Sequence, residues 1–138
     1  MKNVIIYTNE NGGVAICIPT GELPIEQVQT KDIPTNVKSY IVEIDALPED
    51  DNDFFDAWEQ SMGIITINID KAKELTKRRL RIEREPLLLA QDIKFQQAQE
   101  TGSDVSTIVI EKNRLRNITT QVDSCSSTSE LRTLKVAL

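Results

Sequence analysis

The sequence contains no histidine, only two cysteines and few aromatic side chains, which make up 4% of its residues. Without an imidazole, a serine or cysteine nucleophile would need another activating base. Two isolated cysteines cannot build a tetrahedral zinc site. The glycines form neither a Walker loop nor the GxGxxG spacing of a dinucleotide-binding turn. The sequence therefore predicts a protein that is not an enzyme and that has no catalytic residues, no cofactor and no metal site.

Long apolar runs are missing as well, because no stretch of 18 apolar residues occurs. This absence predicts a protein without a membrane-spanning helix. The apolar run that follows Lys2 is too short for the core of a signal peptide, so we expect synthesis in the cytoplasm. In that compartment, free thiols at Cys17 and Cys125 are favoured over a disulfide, which stays an alternative.

The acidic run at residues 49–53 has the composition of a calcium-binding loop but not its spacing. Counted from Asp50 or Asp51, the sixth loop position is not glycine and the twelfth is not glutamate. We therefore expect a solvated acidic loop that leads into a helix, where negative charge near the N-terminus is favourable.

What the sequence does have is an uneven distribution of charge. Residues 1–70 carry 3 lysines against 13 acidic residues, and residues 71–138 carry 13 basic residues against 9 acidic ones. The change of sign coincides with a change of pattern, from short β-branched runs broken by glycine and proline to long polar helical stretches. A two-part protein is therefore expected, with a boundary between residues 69 and 70.

Residues 1–69 are predicted to form a small antiparallel β-domain with short helices. The strands are expected at residues 3–7, 14–18, 39–44 and 64–69, and helical turns near residues 24–28 and 52–58. The second of these turns carries Phe54, Phe55 and Trp58 at helical spacing. Such a trio is either the core of the domain, which is favoured, or an exposed interface anchor.

Residues 70 to about 101 are predicted to form a long helix, with Asp70 as its N-cap residue. Large aliphatic side chains recur at heptad spacing on one side of it. We call this set the apolar strip; it consists of Leu75, Ile82, Leu89 and Ile93. The strip is either packed within the chain or is a seam between chains. Pro86 interrupts the pattern, so the helix either kinks there or ends near Glu85 and restarts.

The remainder of the chain predicts a second helix that packs antiparallel to the first. Gly102 suits the left-handed end of the long helix, and Ser103 suits the N-cap of a helix that continues to about Ile118. Residues 119–130 are rich in serine and threonine and are expected to be a loop. The predicted fold class is therefore α+β, with a small antiparallel β-domain followed by a C-terminal α-helical hairpin and tail.

A basic stretch covers residues 71–84, with acidic residues interleaved and no aromatic side chain to stack on bases. It is interpreted as a solvated helix face with i,i+4 pairs, as a contact surface for a protein, or, least favoured, as a nucleic-acid-binding segment. The acidic balance of the whole chain also makes nucleic acid an unlikely main ligand.

Several segments, taken together and in order, resemble a group of small proteins of tailed bacteriophages and prophages. These proteins are encoded near tail genes and are commonly labelled tail assembly chaperone or tail-fibre-associated protein. The resemblance covers most of the chain. It lies in residues 1–15, 39–42, 55–58, 70–73, 81–88, 98–102, 112–117 and 129–131, and at Asp92 and Phe95.

This resemblance implies a non-enzymatic protein that binds another tail or tail-fibre protein, either as an assembly factor or as a minor subunit of the tail tip or fibre. The implied location is the host cytoplasm during assembly, with the virion tail as a second location. A homo-oligomer is left open, and the alternative function is a nucleic-acid-binding regulator that uses residues 71–84. The predicted partner-binding residues lie on the long helix and are Leu75, Arg79, Ile82, Leu89, Ile93 and Phe95.

Overall fold

Residues 2–137 are described by a computed structural model, in which the chain divides into two compact units. The first unit is Met1–Ala72 and the second is Lys73–Leu138. All five described strands lie in the first unit, and the described part of the second consists of helices and their connections. The chain is therefore an α+β protein.

A three-stranded antiparallel sheet forms the centre of the first unit. It contains β1 (Asn3–Thr8), β2 (Val14–Cys17) and β3 (Ser39–Glu43), in the order β2-β1-β3. The central strand β1 is apolar at consecutive positions, and Val4, Ile5 and Ile6 are all fully buried. Because successive side chains of a strand point to opposite faces, this sheet must be covered on both sides.

One face of the sheet is covered by α1 (Ile25–Asp32), which extends further than the helical turn predicted near residues 24–28. Ile5 on this face packs in a buried cluster with Val28 of α1 and with Ile33. The proline after Ile33 explains the end of the helix, because a residue that precedes proline avoids the helical conformation.

The other face is covered by a second, two-stranded antiparallel sheet, of which the sequence predicts only the strand at residues 64–69. It consists of β4 (Trp58–Ser61) and β5 (Ile64–Ile67). Trp58 is paired with Ile67 and belongs to a buried cluster with Val4, Ile6 and Val14. The helical turn predicted near residues 52–58 therefore ends before Trp58, because residues 58–61 pair with β5.

The turn between β4 and β5 has Met62 and Gly63 at its centre, with φ angles of 53° and 85°. Positive φ at both central residues is typical of the tight hairpin turn whose twist matches that of the strands. A Cβ atom at Gly63 would lie 3.3 Å from the Cβ of Tyr40. Glycine is therefore required here both for its backbone angle and for the close approach to Tyr40.

The helical turn predicted near residues 52–58 belongs to a 3-10 helical segment, Glu49–Ala57, that is interrupted at Asp51 and Phe54. Phe54 and Trp58 are buried, whereas Phe55 is about one-third exposed and its ring lies 4.9 Å from that of Trp58. Two of the three aromatic residues thus belong to the core.

The long helix, α2, runs without interruption from Ile69 to Thr101 with Pro86 inside it. The alternative in which the helix ends near Glu85 is therefore wrong. Its N-cap is Asn68, whose side-chain Oδ1 accepts a hydrogen bond of 3.1 Å from the backbone N–H of Lys71. The prediction of Asp70 as N-cap is wrong, because Asp70 already lies inside the first turn, where its charge still suits the helix dipole.

Gly102 ends α2 with a positive φ of 70°, and α3 follows at Ser106–Arg116. The predicted N-cap Ser103 lies too early. Asp104 instead holds the start of α3, because its carboxylate accepts hydrogen bonds from the backbone N–H and the hydroxyl of Ser106. Lys112 of α3 lies 2.8 Å from a carboxylate oxygen of Asp92 on α2.

Much of the segment predicted as a loop at residues 119–130 is helical. A 3-10 helix occupies Ile118–Ser124, and α4 occupies Thr128–Thr133 with Ser127 as its N-cap. The apolar residues spaced among the serines and threonines explain the difference, because they are buried and anchor these turns. They are Ile118, Val122, Cys125, Leu131 and Val136.

Candidate functional site

The apolar strip lies on the side of α2 that points away from the buried side. Thr76 and Leu80 are buried on this helix, at 1% and 0% exposure. At about 100° per residue, Ile82 is roughly 160° round the helix from Leu80, and Leu89 lies within about 20° of Ile82. The strip therefore cannot contribute to the same packed layer as Leu80.

Three of the four strip residues are open to solvent. Ile82 is 66% exposed, Leu89 61% and Ile93 50%, whereas Leu75 is half-buried. A single exposed aliphatic residue needs no explanation, but a row of them on one helix face is typical of a contact surface. The structure thus brings Ile82, Leu89 and Ile93 together as one exposed apolar row.

Arg79, another predicted contact residue, is engaged within the chain. Its guanidinium donates to the carbonyl oxygens of Leu131 and Leu134 at 3.3 and 2.9 Å, and it pairs with Glu83 at 3.0 Å. Both carbonyls lie at the C-terminal end of α4, where the usual i+4 donors are missing; the oxygen of Leu131 also accepts the N–H of the C-cap residue Leu134. Arg79 therefore caps α4.

Arg84 does the same for α3. Its guanidinium donates to the carbonyl oxygens of Leu115 and Arg116 at 3.3 and 2.8 Å. A cation is also favourable at a helix C-terminus because of the helix dipole. Two arginines of α2 thus hold the ends of two later helices, a role that no local pattern in the sequence indicates.

Phe95, the last of the predicted contact residues, is half-buried. The ammonium group of Lys112 lies 4.8 Å from the centre of its ring, in a cation–π contact. Lys112 also pairs with Asp92, so the Phe95 ring is part of the contact between α2 and α3. Its position is thus separate from the exposed row.

The basic stretch at residues 71–84 is partly used inside each unit. Lys71 pairs with Glu59 at 2.8 Å, and Lys77 pairs with Asp123 at 3.1 Å. With Arg79 and Arg84, four of its seven basic side chains hold partners within the chain. Within residues 2–137 the side chains of the other three make no hydrogen bond or ion pair; they are Lys73, Arg78 and Arg81.

Three carboxyl groups have a lowered pKa, in each case mainly because a side-chain hydrogen bond favours the ionised form. The ammonium of Lys71 lowers the pKa of Glu59, the hydroxyl of Ser106 that of Asp104, and the guanidinium of Arg114 that of Glu111. These carboxylates are held ionised as structural acceptors. A general acid would instead need a raised pKa.

A groove of about 490 Å³ runs along α2 beside the exposed row. The six residues that line it come from α2 and share one side of the helix; they are Arg81, Arg84, Glu85, Leu88, Leu89 and Asp92. A groove lined by one helix is a surface feature and not an enclosed chamber. In the described part of the chain, no group of three or more metal-binding side chains is placed to hold an ion.

Two exposed apolar residues of the first unit are not indicated by the sequence patterns. Met62 at the β4–β5 turn is 81% exposed, and Ile64 beside it is 69% exposed. The signal for this turn is the Met62-Gly63 pair between two short runs, which is weaker than the Asn-Gly pair that usually marks such turns. On α3, Ile110 is similarly open, at 67%.

Compared with protein-family models, with curated proteins and with solved structures, the chain has no match. Within residues 2–137, no helix is both long and apolar enough to cross a membrane.

Proposed function

We propose that this chain is a non-enzymatic protein of a bacteriophage or prophage tail that binds another tail or tail-fibre protein. It would act either as an assembly factor in the host cytoplasm or as a minor structural subunit that stays in the virion tail. The phage assignment is supported by the resemblance of several segments, taken in their order along the sequence, to tail-region proteins. The observation that carries the binding role is the exposed row Ile82, Leu89 and Ile93 on α2.

The physical reason is the free energy of transfer of these side chains. Covering a fully exposed isoleucine or leucine is worth roughly 1.5–3 kcal/mol, and these three side chains are 50–66% exposed, so covering them together contributes roughly 2–6 kcal/mol to a protein–protein contact. The row also contains no charged side chain that would have to be desolvated, whereas charged residues flank it on both sides. An apolar centre with a polar rim is the usual anatomy of an interface.

We further infer that α2 and α3 form an antiparallel hairpin that displays the row. The contacts between the two helices pair early positions on one with late positions on the other. Asp92 contacts Lys112, and the earlier residue Arg84 contacts the later residues Leu115 and Arg116. This reversed order is that of antiparallel neighbours joined by a short connection.

Nucleic-acid binding through residues 71–84 has less support. Lys71, Lys77, Arg79 and Arg84 are each held by partners in the chain. Phosphate binding needs several cations on one face, and affinity scales with the number of phosphates neutralised. Mobility-shift titration at low salt would test it, since binding through phosphates is lost steeply as salt rises.

The proposed function is tested by co-expressing the tagged chain with the proteins encoded beside it in the phage genome and identifying what co-purifies. We expect a tail or tail-fibre protein, and we expect Ile82→Asp to lose it. Ile110→Asp is the matched control, because Ile110 on α3 is equally exposed, at 67% against 66%. Retention of the partner by the Ile82 variant would remove the row from the binding site, and capture of no tail protein would contradict the function. Mass spectrometry of purified particles then decides between the two locations.

A further inference from the structure

We propose that the exposed row on α2 pairs with the same row of a second copy of this chain, as a parallel, in-register pair of helices. In this pair Ile82, Leu89 and Ile93 of one copy lie against the same residues of the other. This inference goes beyond the proposed function, because it names a second copy of the chain, and not a tail protein, as what covers the row.

The first argument is the spacing along the row. Ile82, Pro86, Leu89 and Ile93 follow one another at intervals of four, three and four residues. Alternating intervals of four and three residues are those of the d and a positions of a heptad, which form the seam between two supercoiled helices. Ile82 and Leu89, seven residues apart, then lie at d, and Pro86 and Ile93 lie at a. The three exposed residues of the row thus all occupy seam positions.

The second argument is charge complementarity, which also selects the orientation. In a parallel pair, the residue four positions before a seam residue at position d faces, in the other copy, the residue one position after that seam residue. Around Ile82 these two residues are Arg78 and Glu83. Opposite charges therefore meet on both sides of the seam. Because the pair is symmetric, each copy supplies one arginine and one glutamate.

Both charged groups are placed to make this contact. Arg78 is exposed, and within residues 2–137 its side chain makes no ion pair or hydrogen bond. Glu83 uses Oε1 to pair with Arg79, and its side chain is 41% exposed. The second oxygen of this carboxylate can accept from a guanidinium of the other copy. Arg79, one heptad before Pro86, donates to the carbonyl oxygen of Leu134 at the end of α4.

An antiparallel pair is less favourable. In an antiparallel pair in which Ile82 of one copy faces Ile93 of the other, Glu85 lies opposite Asp92 of the other copy. Because the pair is symmetric, two such contacts between acidic side chains form. Like charges directly opposite each other disfavour such an arrangement. The second half of the seam in the parallel pair has no such conflict, because Glu85 faces Ala90 and Asp92 faces Gln97.

The seam is short, so we expect dimerisation that depends on concentration. Sedimentation velocity of the full chain over a concentration series should show a monomer–dimer equilibrium. Ile82→Asp should weaken it by at least about tenfold, since it places two carboxylates in the apolar layer. The equally exposed Ile110→Asp should leave it unchanged. Circular dichroism checks that both variants keep their helices. A wild-type chain that stays monomeric up to high concentration overturns the inference.

A charge-swap experiment tests the orientation. Arg78→Glu alone places two glutamates together at each flank, and Glu83→Arg alone places two arginines together, so each variant should dimerise more weakly than the wild type. Mixed in equal amounts, the two variants should form a heterodimer that is at least about tenfold favoured over either homodimer, because both flanks become opposite-charge pairs again. The Arg79–Glu83 pair lies within one chain and is lost only in the Glu83→Arg chain, whichever partner that chain has, so its loss does not affect the preference.

The outcomes separate this inference from the proposed function. A dimer that captures no tail protein supports the inference and contradicts the function. A monomer that still captures a tail protein through Ile82 supports the function and overturns the inference. Unchanged dimerisation of both charge variants, with no preference for the mixture, overturns the parallel orientation.

Discussion

The guanidinium of Arg79 donates a hydrogen bond of 2.9 Å to the carbonyl oxygen of Leu134, which lies 55 positions later in the chain. The bond ties a side chain of α2 to the backbone at the end of α4. Helix α4 has only six residues, and an isolated helix of this length is not stable in water. Its stability therefore depends on contacts such as this cap.

Replacing Arg79 with lysine should destabilise the protein by about 1–2 kcal/mol. A lysine ammonium cannot hold the two carbonyls and Glu83 in one plane as the guanidinium does. Urea denaturation followed by circular dichroism measures the loss. Arg81→Lys is the control, since Arg81 is exposed and its side chain makes no hydrogen bond within residues 2–137. Equal stability of the two variants would contradict the capping role.

Substituting alanine for Gly63 should cost more stability than the same substitution at Gly21. Both glycines have positive φ, 85° and 92°, so both variants pay the left-handed backbone cost of about 1 kcal/mol. Only at Gly63 does the added Cβ also approach Tyr40, at 3.3 Å, whereas the space around Gly21 is open. Thermal unfolding of the two variants measures the difference. A Gly21 variant as unstable as the Gly63 variant would show that the Tyr40 contact contributes nothing.

Removal of the Asn68 side chain should destabilise the start of α2, and removal of the Asp70 side chain should do so less. Asn68→Ala loses the cap to the N–H of Lys71, which is worth about 1 kcal/mol, and a hydrogen bond to Glu59. Asp70→Ala loses only a favourable charge in the first turn, worth a few tenths of a kcal/mol at an exposed site. Chemical denaturation of the two variants ranks them, and the reverse ranking would restore Asp70 as the cap.

The ion pair between Glu59 and Lys71 should make stability depend on pH in the acid range. Because hydrogen bonding lowers the pKa of Glu59 in the folded state, its contribution is complete above the pKa of an unfolded glutamate, about 4.3. It is lost as the pH falls through the lower pKa of the folded state. Glu59→Gln should therefore flatten the acid side of a plot of stability against pH. Glu10→Gln, at an exposed loop position, should leave that plot unchanged, and the same flattening in both variants would contradict the role of the pair.

Local patterns sufficed for some elements of the fold and not for others. Strands β1 and β2 follow from β-branched runs beside Gly12 and Gly13, and the length of α2 follows from its helical periodicity. Strand β4 does not follow, since Trp58 is the single large apolar residue among its four. It becomes a strand because it pairs with β5, and no signal within residues 58–61 contains that information.

Local sequence patterns likewise predict only part of the candidate site. The heptad spacing of Leu75, Ile82 and Leu89 predicts a helix face, but whether the face is covered depends on what the rest of the chain leaves open. Leu75 is half-buried, whereas Ile82, at the same spacing, is exposed. The caps made by Arg79 and Arg84 join residues that are 31 to 55 positions apart, so the sequence showed only a basic stretch there.

The burial of Trp58 and of Cys125 gives each unit its own spectroscopic or chemical reporter. Trp58 is the sole tryptophan and is 1% exposed in the first unit, and Cys125 is a free thiol, 8% exposed, in the second. Intrinsic fluorescence therefore follows the opening of the β-rich half. The rate at which a thiol reagent modifies Cys125 follows the opening of the helical half. Without any engineered label, the two signals thus show whether the two units unfold together or one after the other.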